Sequence, residues 1–267
     1  MDFVGFFTRL GLGFVGATVV MTILFINAHK RKRYDVVDVG WGLAFIAVAI
    51  LSLIIVPQAD SNVLILRLLF ALMVVIWGLR LSMHILKRHL KSKQEDKRYV
   101  EIRKNWKTDH MLLRIYTSLF FFQAVLASLI MIPVVMLMSH DKAPTNWLLI
   151  LGLIIWIIGF GIEIIADRQL RSFVSNSDNK GKIMNKGLWA YSRHPNYFGE
   201  VTLWWGFGIV ALGLPYGFIG LIGPLVITCL ILFVSGIPPT EKAFAGRPGW
   251  NEYVRITSVL IPWFKRK

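Results

Sequence analysis

The chain has 267 residues and a formal net charge of +15, yet only 17% of its residues are charged, 55% are hydrophobic and the mean hydropathy is +0.59. A soluble domain carries about 25% charge, so composition excludes an ordinary soluble protein and leaves an integral membrane protein. The basic excess is scattered through loops rather than gathered on a soluble surface, which excludes nucleic acid as a partner.

Runs of Leu, Ile, Val, Phe and Trp predict an all-α protein of seven transmembrane helices in a single domain, 1–267. The first, at about 3–28, has no basic leader and runs past the length of a secretory signal, so it reads as a retained span. The second and third, at about 36–56 and 63–86, bracket a short polar turn. The fourth, 111–138, contains Pro133, and the fifth is 147–166. The last two are 197–214 and 216–236, with Pro215 between them and Pro224 inside the seventh. Cytoplasmic loops fall at about 29–35, 87–110 and 167–196, with a tail over 237–267.

Charge sets the expected orientation. Segments 29–35, 87–109, 168–193 and 241–267 hold 25 of the 30 Lys and Arg residues, whereas "PQADSN", "SHDKAPTN" and "GLPYG" hold only Lys142. That alternation predicts an amino terminus outside and a carboxyl terminus in the cytoplasm. Compact loops and an uncleaved first span suit a bacterial inner membrane.

Ionisable residues inside spans are rare and usually face a cavity or a partner. Asp38, Arg80, His84 and Glu163 all lie near the expected cytoplasmic ends, so they are candidates for one cavity opening to that side. Asp38 in "DVVDVGWG" is a short carboxylate in an apolar helix and must be paired or protonated. Arg9 and Arg67 lie near outer ends, where snorkelling is the simpler account. His29, His89, His110 and His140 read as solvated loop residues, and no histidine spacing supports a metal. The single Cys229 forms no intrachain disulfide and reads as a small buried hydrophobe. Most tryptophans suit an interfacial belt; Trp41 and Trp204 are the two candidates for cavity walls that touch a lipophilic substrate.

Two stretches concentrate polar chemistry. "GFGIEIIADRQLRSF" spaces Glu163, Asp167 and Arg171 along one helical face. "GLWAYSRHPNYFGEVTLWWG" sets Arg193, His194, Asn196, Tyr197 and Glu200 at the mouth of an apolar run. An amide can bond both sides of a nicotinamide carboxamide, carboxylates accept ribose hydroxyls, and a guanidinium suits phosphate. No GxGxxG follows a strand, so a dinucleotide would be held by side chains of a helical pocket.

These stretches, with "QEDKRYVEIRKNW" and the tail "YVRITSVLIPWF", resemble the steroid 5-alpha-reductase-like membrane proteins over about Asp35 to Trp263, and most closely their bacterial branch, once classed as a domain of unknown function. The resemblance implies seven helices, a cytoplasm-facing NADPH site and hydride transfer to an activated carbon–carbon double bond in a lipophilic, steroid-, sterol- or isoprenoid-like substrate. It assigns Asp167, Arg171, Asn196 and Glu200 to the dinucleotide, with Arg193, His194 and Tyr197 in the same segment and Lys182 and Tyr253 as weaker matches. One departure concerns the substrate: the steroid-reducing members use a Tyr on the span with an "HY…HR" pattern and a Glu on an earlier span. In "RLSMHILKRH" His84 and Arg88 keep the spacing, but Ile85 follows His84. The catalytic donor is therefore expected from Asp38 with His84, with Tyr34 as an alternative.

"SRHPNYFG" is also similar to isoprenylcysteine carboxyl methyltransferases, which bind S-adenosylmethionine, with Glu241 resembling their tail carboxylate. Asn196 and Glu200 together, with the upstream "ExxxDxQ", favour the reductase. A non-enzymatic lipid-binding or transport protein is the third reading, against which no inverted halves are visible. The expected partners are the lipophilic substrate and membrane lipid, with the chain as a monomer or weak oligomer.

Overall fold

The computed structural model describes residues 2–54, 60–92, 94–104, 106 and 109–265. Among these residues it is helical, with a single isolated β-bridge between Ser192 and Ser258. In chain order the helices are α1 (Phe3–Arg31), α2 (Val37–Ile54), α3 (Ser61–Lys91), α4 (Lys97–Lys104), α5 (Met111–Ile115), α6 (Phe122–Ile130), α7 (Ile132–Ser139), α8 (Asn146–Ser175), α9 (Pro195–Leu212), α10 (Ile222–Cys229), α11 (Ile237–Phe244) and α12 (Trp250–Ile256).

Six helical stretches among the described residues are long and apolar enough to cross a membrane: Phe3–Arg31, Tyr34–Ile54, Ser61–Lys91, Met111–Ile130, Asn146–Ser175 and Gly217–Phe244. The expected sixth span is present as the 18-residue α9 but is not among the six. Its first turns carry Asn196, Tyr197 and Glu200, which dilute its apolar character.

Other boundaries moved for local reasons. The expected fourth span is not one helix. A π-helical segment at Tyr116–Phe121 widens it, and it breaks at Met131, just before Pro133, whose ring cannot accept the preceding turn. The expected fifth span continues beyond 166 to Ser175, so Asp167 and Arg171 stand on rigid helix rather than in a loop.

The described residues fall into two compact units, Met1–Asn146 with Ala211–Gly223, and Trp147–Val210 with Pro224–Lys267. In the first unit α1 lies along α2 and α2 along α3, with α6 and α7 packed against α1 and α2. Glycine allows the closest approach of α2 and α3: a Cβ on Gly78 would stand 2.7 Å from the Gly42 carbonyl oxygen.

In the second unit α8 and α9 meet through two glycine pairs. A Cβ on Gly152 would be 2.5 Å from the Gly206 carbonyl oxygen, and one on Gly159 would be 2.7 Å from that of Gly199. Each pair is reciprocal, and the glycines are seven residues apart on each helix but in opposite order. The pattern is that of two antiparallel helices meeting along one seam every two turns. It sets the Gly199 turn of α9 against the Glu163 backbone, so the packing that the glycines permit also shapes the polar end of the unit.

Several single-residue expectations are corrected. Cys229 is exposed on the helix surface rather than buried. His140 is buried, with its Nδ1 2.9 Å from the Met136 carbonyl oxygen, and His89 sits 3.3 Å from Asp35 rather than in solvent. Arg9 and Arg67 do not snorkel: they are 1% and 2% exposed, drawn into the first unit.

Replacing Gly159 with Val forces the α8–α9 seam apart and should cost about 1–3 kcal/mol, the usual cost of overpacking. Gly161→Ala, where a Cβ meets nothing within 4 Å, should be neutral or slightly stabilising. Thermal unfolding in detergent compares the two; equal midpoints for both variants would contradict the seam.

Candidate functional site

Each unit gathers polar side chains. In the first, the 3₁₀ turn Tyr34–Val36 and the start of α2 are capped by the segment that follows α3. Glu95 accepts the Tyr34 backbone N–H at 2.8 Å and is gripped by Arg103 at 2.8 and 2.5 Å, while the Arg103 guanidinium lies over the Tyr34 ring. Asp96 accepts from Arg98, whose Nη2 also donates to Asp38 Oδ2 at 3.0 Å. Tyr99 donates its hydroxyl to the other Asp38 oxygen in a short bond.

Asp38 is therefore paired, as a carboxylate in an apolar helix must be. Tyr99 is the residue that sequence reasoning missed. The nearest signal was "EDKRY", inside the stretch "QEDKRYVEIRKNW" that carries part of the family resemblance but in which Tyr99 was not singled out. Burial, then the Asp38 charge, pushes the Tyr99 hydroxyl well above its ordinary range, so it remains a donor at any physiological pH. Arg98 is held above its ordinary value by Asp96 and Asp38 despite its partial burial, and stays charged.

Beside this pair lies a cavity of about 200 Å³ lined by Asp35, Asp38, Asp96, Arg88, His89 and neighbouring Ile85 and Ser92. Asp35 bonds Arg33 at 3.1 Å and His89 at 3.3 Å, and its Oδ1 is buried without a partner. Of the expected catalytic pair, Asp38 lines this cavity. His84 is half-buried on α3 and is not part of the lining, nor is Trp41, which packs edge-on against Phe45 at 5.0 Å. Tyr34 is buried, with its hydroxyl 3.2 Å from His29.

In the second unit, α8 presents Glu163 and Asp167, both buried, and Arg171, exposed one turn further on. The chain returns through a loop that folds onto α8 itself. Gln169 accepts the Leu188 N–H at 3.0 Å across Gly187, whose φ of +61° and lack of a Cβ admit the Gln169 side chain. Trp189 donates to the Ala166 carbonyl at 3.1 Å. Lys182 is exposed in this loop.

The "RHP" turn is locked by the tail. Arg193 donates to Glu241 at 2.8 Å and to the Val254 and Thr257 carbonyls at 3.0 and 2.8 Å, and its backbone N–H donates to Ser258. Tyr253 donates to the Trp189 carbonyl at 2.6 Å, and burial pushes its hydroxyl well above its usual value, keeping it a donor. His194 is stacked on Tyr197 and lies 3.3 Å from Glu241. Half-buried Asn196 and Glu200 follow on α9, and the Asn196 Oδ1 is buried without a partner. Trp204 is fully buried against Phe207, as a packing residue would be. Among the described residues no group of His, Cys, Asp and Glu is arranged for a metal ion.

The chain matches the family described as "Protein of unknown function (DUF1295)" over residues 24–257. It belongs to that family. It is also similar to curated enzymes whose names place them among oxidoreductases. It is 34% identical over 123 residues to "3-oxo-5-alpha-steroid 4-dehydrogenase 1" of Macaca fascicularis and 26% identical over 123 residues to the protein of that name from Homo sapiens. Each match covers 46% of this chain and 44% of the relative. A third, "Steroid 5-alpha-reductase DET2" of Gossypium hirsutum, is 33% identical over 64 residues, 24% of this chain and 25% of the relative. The chain thus spans less than half the length of the curated relatives it matches. No solved structure matches it. Its resemblance to the steroid 5-alpha-reductases is thus a similarity over part of the chain, beside its membership of the DUF1295 family.

Two stability outcomes follow. Arg193→Ala strips a buried charge from Glu241 and two carbonyls and should cost about 3–5 kcal/mol, read as a fall in the unfolding midpoint. Burial holds the His194 imidazole below its ordinary 6.5, against the pull of Glu241. The unfolded chain therefore takes up the proton first, and the stability His194 contributes is complete above pH 6.5 and lost as pH falls below it. His194→Gln should flatten that acid-side decline in a pH series of unfolding midpoints. An unchanged slope would mean that His194 is not buried neutral.

Proposed function

We propose that the protein is an NADPH-dependent membrane reductase of an activated carbon–carbon double bond in a lipophilic, steroid-, sterol- or isoprenoid-like molecule. In this reading seven helices span the membrane, α9 included, with the carboxyl terminus and both polar clusters on the cytoplasmic side, most simply in a bacterial inner membrane. The observation that carries the reading is the buried, partnerless Asn196 Oδ1 at the mouth of α9, in a segment that lies within the DUF1295 match. A buried acceptor without a donor is costly, and a carboxamide N–H supplies the missing partner.

The donor set fits a dinucleotide. Asn196 would hold the nicotinamide carboxamide, Asp167 and Glu200 the ribose hydroxyls, and Arg171 with Lys182 the phosphates, which need exposed permanent charge. Tyr197 and His194 would wall the same pocket. Arg193 and Tyr253 are committed to their own chain, so in this reading they position the "RHP" turn rather than touch the cofactor. When bound, NADPH supplies the hydride that adds to the alkene.

Tyr99 on Asp38 is the donor for the substrate oxygen. A hydroxyl kept protonated by burial and by the carboxylate it touches can turn its hydrogen bond to an oxygen gaining enolate charge, and positioned donors in a dry site are worth most there. This pair takes the place of the Tyr absent at Ile85. His84 and Trp41 then serve the wall nearer the bilayer, where a lipid substrate enters sideways.

Parallel calorimetric titration with NADPH and S-adenosylmethionine tests the reading: NADPH is expected to bind, and binding of S-adenosylmethionine alone would replace it with the methyltransferase. Asn196→Leu should weaken NADPH binding by about tenfold, the loss of one buried hydrogen bond. Tyr99→Phe should leave NADPH binding intact while slowing NADPH consumption with an accepted enone by about 10²–10³-fold.

A further inference from the structure

The second unit carries an apolar surface that its own packing leaves uncovered. After α12 the chain runs extended past the "RHP" turn and is bonded to it at three points. The Arg193 N–H donates to the Ser258 carbonyl at 2.8 Å, the Ser192 hydroxyl to the Leu260 carbonyl at 2.7 Å, and the Trp263 N–H to the Tyr191 carbonyl at 3.0 Å. This ribbon is held as a strand is, and its side chains alternate as a strand's do. Leu260 is buried, whereas Val259, Ile261 and Trp263 face outward. Trp263 is 66% exposed, Phe264 continues the outer face at 78%, and Lys265 follows, exposed.

The height of the ribbon is set by α8, a helix long and apolar enough to cross a membrane. Its exposed apolar stripe runs from Trp147 to Ile165 and gives way to exposed Arg168. At 1.5 Å per residue that stripe is about 27 Å long, close to the thickness of a hydrocarbon core, ~30 Å. The turn meets α8 at this boundary: Trp189 donates to the Ala166 carbonyl and Leu188 N–H to Gln169. The ribbon bonded to Tyr191, Ser192 and Arg193 thus lies at the level where hydrocarbon ends and headgroups begin.

The charge at this level selects what covers the ribbon. Exposed cations stand on each element that meets here: Arg168 on α8, Lys186 before the turn, Arg255 on α12 and Lys265 on the ribbon itself. Exposed Glu252 lies one turn before Arg255. In the sequence Arg266 and Lys267 come next. Aromatic rings beside lysines at a bilayer boundary are the composition of an interfacial anchor, with the rings among the headgroups and the cations on lipid phosphate. A second copy paired through the same patch would set these cations against one another, and water alone would leave a contiguous apolar face wet.

We propose that the ribbon, residues 259–265, is an interfacial anchor that binds the anionic headgroup layer of the adjoining leaflet. Ile261, Trp263 and Phe264 enter the boundary, and Lys265 meets lipid phosphate. Because the ribbon's backbone is bonded to residues 191–193, anchoring it steadies the turn from which α9 starts. The anchor is independent of the reductase reading and of which leaflet adjoins it.

The test uses the full-length protein with its single cysteine removed as Cys229→Ser, reconstituted in lipid vesicles and spin-labelled at one introduced cysteine at a time. Ile157→Cys, on the exposed stripe of α8, marks hydrocarbon, and Lys180→Cys, exposed in the loop after α8, marks water. Collisions with oxygen and with a water-soluble nickel chelate read the depth of each label. In 3:1 phosphatidylcholine and phosphatidylglycerol, the Ile261→Cys and Phe264→Cys labels are expected between the two markers, several-fold better shielded from nickel than the Lys180→Cys label. In phosphatidylcholine alone the Phe264→Cys label should move toward the water marker. It should do the same in the anionic vesicles once Lys265, Arg266 and Lys267 are replaced by Gln, since each basic residue is worth about fivefold in partitioning to an anionic surface. The lipid comparison needs no charge variant, so it stands even if that protein fails to fold. Ribbon labels as open to nickel as the Lys180→Cys label in both lipids overturn the anchor. So does an equal depth with and without anionic lipid, and so does spin–spin broadening, which would put a second copy on the face.

Discussion

A carboxylate cannot stand alone in an apolar helix, and the arrangement of the first unit follows from how Asp38 is satisfied. Its two oxygens are met by Arg98 and Tyr99, residues about sixty positions downstream and beyond the whole of α3. Meeting that requirement draws the segment after α3 back over the start of α2, where Glu95, Arg103 and Tyr34 add a second lock. The polar cavity beside Asp35 is a consequence of this fold-back: it is the space left where a charged cap meets the ends of apolar helices.

The second unit solves the same problem with the tail. Arg193 is a permanent cation in a buried turn, and it is neutralised by Glu241 and bound by carbonyls of α12 and the residue after it. That lock fixes the direction in which α9 starts, and the glycine pairs on α8 and α9 fix how closely it runs. Asn196 and Glu200 are thereby held on a rigid helix beside a rigid neighbour, which suits residues that hold a ligand better than a loop would.

Much of this was legible in the chain. Apolar runs located six stretches long and apolar enough to cross a membrane, because hydrocarbon demands continuous apolar helix. The demand that a carboxylate be paired singled out Asp38, and the crowding of Asn196, Tyr197 and Glu200 at a helix mouth marked the second cluster. Less legible were features that depend on neighbours. Tyr99 was not singled out within its loop, Cys229 looked like a core residue, and Arg9 and Arg67 like side chains reaching for the surface. Each misreading concerned which way a side chain faces, and periodicity cannot decide that when both faces of a helix are apolar.

The sequence by itself determined the class of protein, the approximate helices and the family, and it marked where polar side chains gather, because hydrophobic length, charge distribution and motif spacing are local properties. Only the tertiary structure decided which of those residues meet. It joined Asp38 to Tyr99 across sixty residues and Arg193 to Glu241 across nearly fifty, and it drew Arg67 inside. The physical reason is that pairing a buried charge is a non-local condition: many partners would satisfy it, and the packing of the helices chooses one.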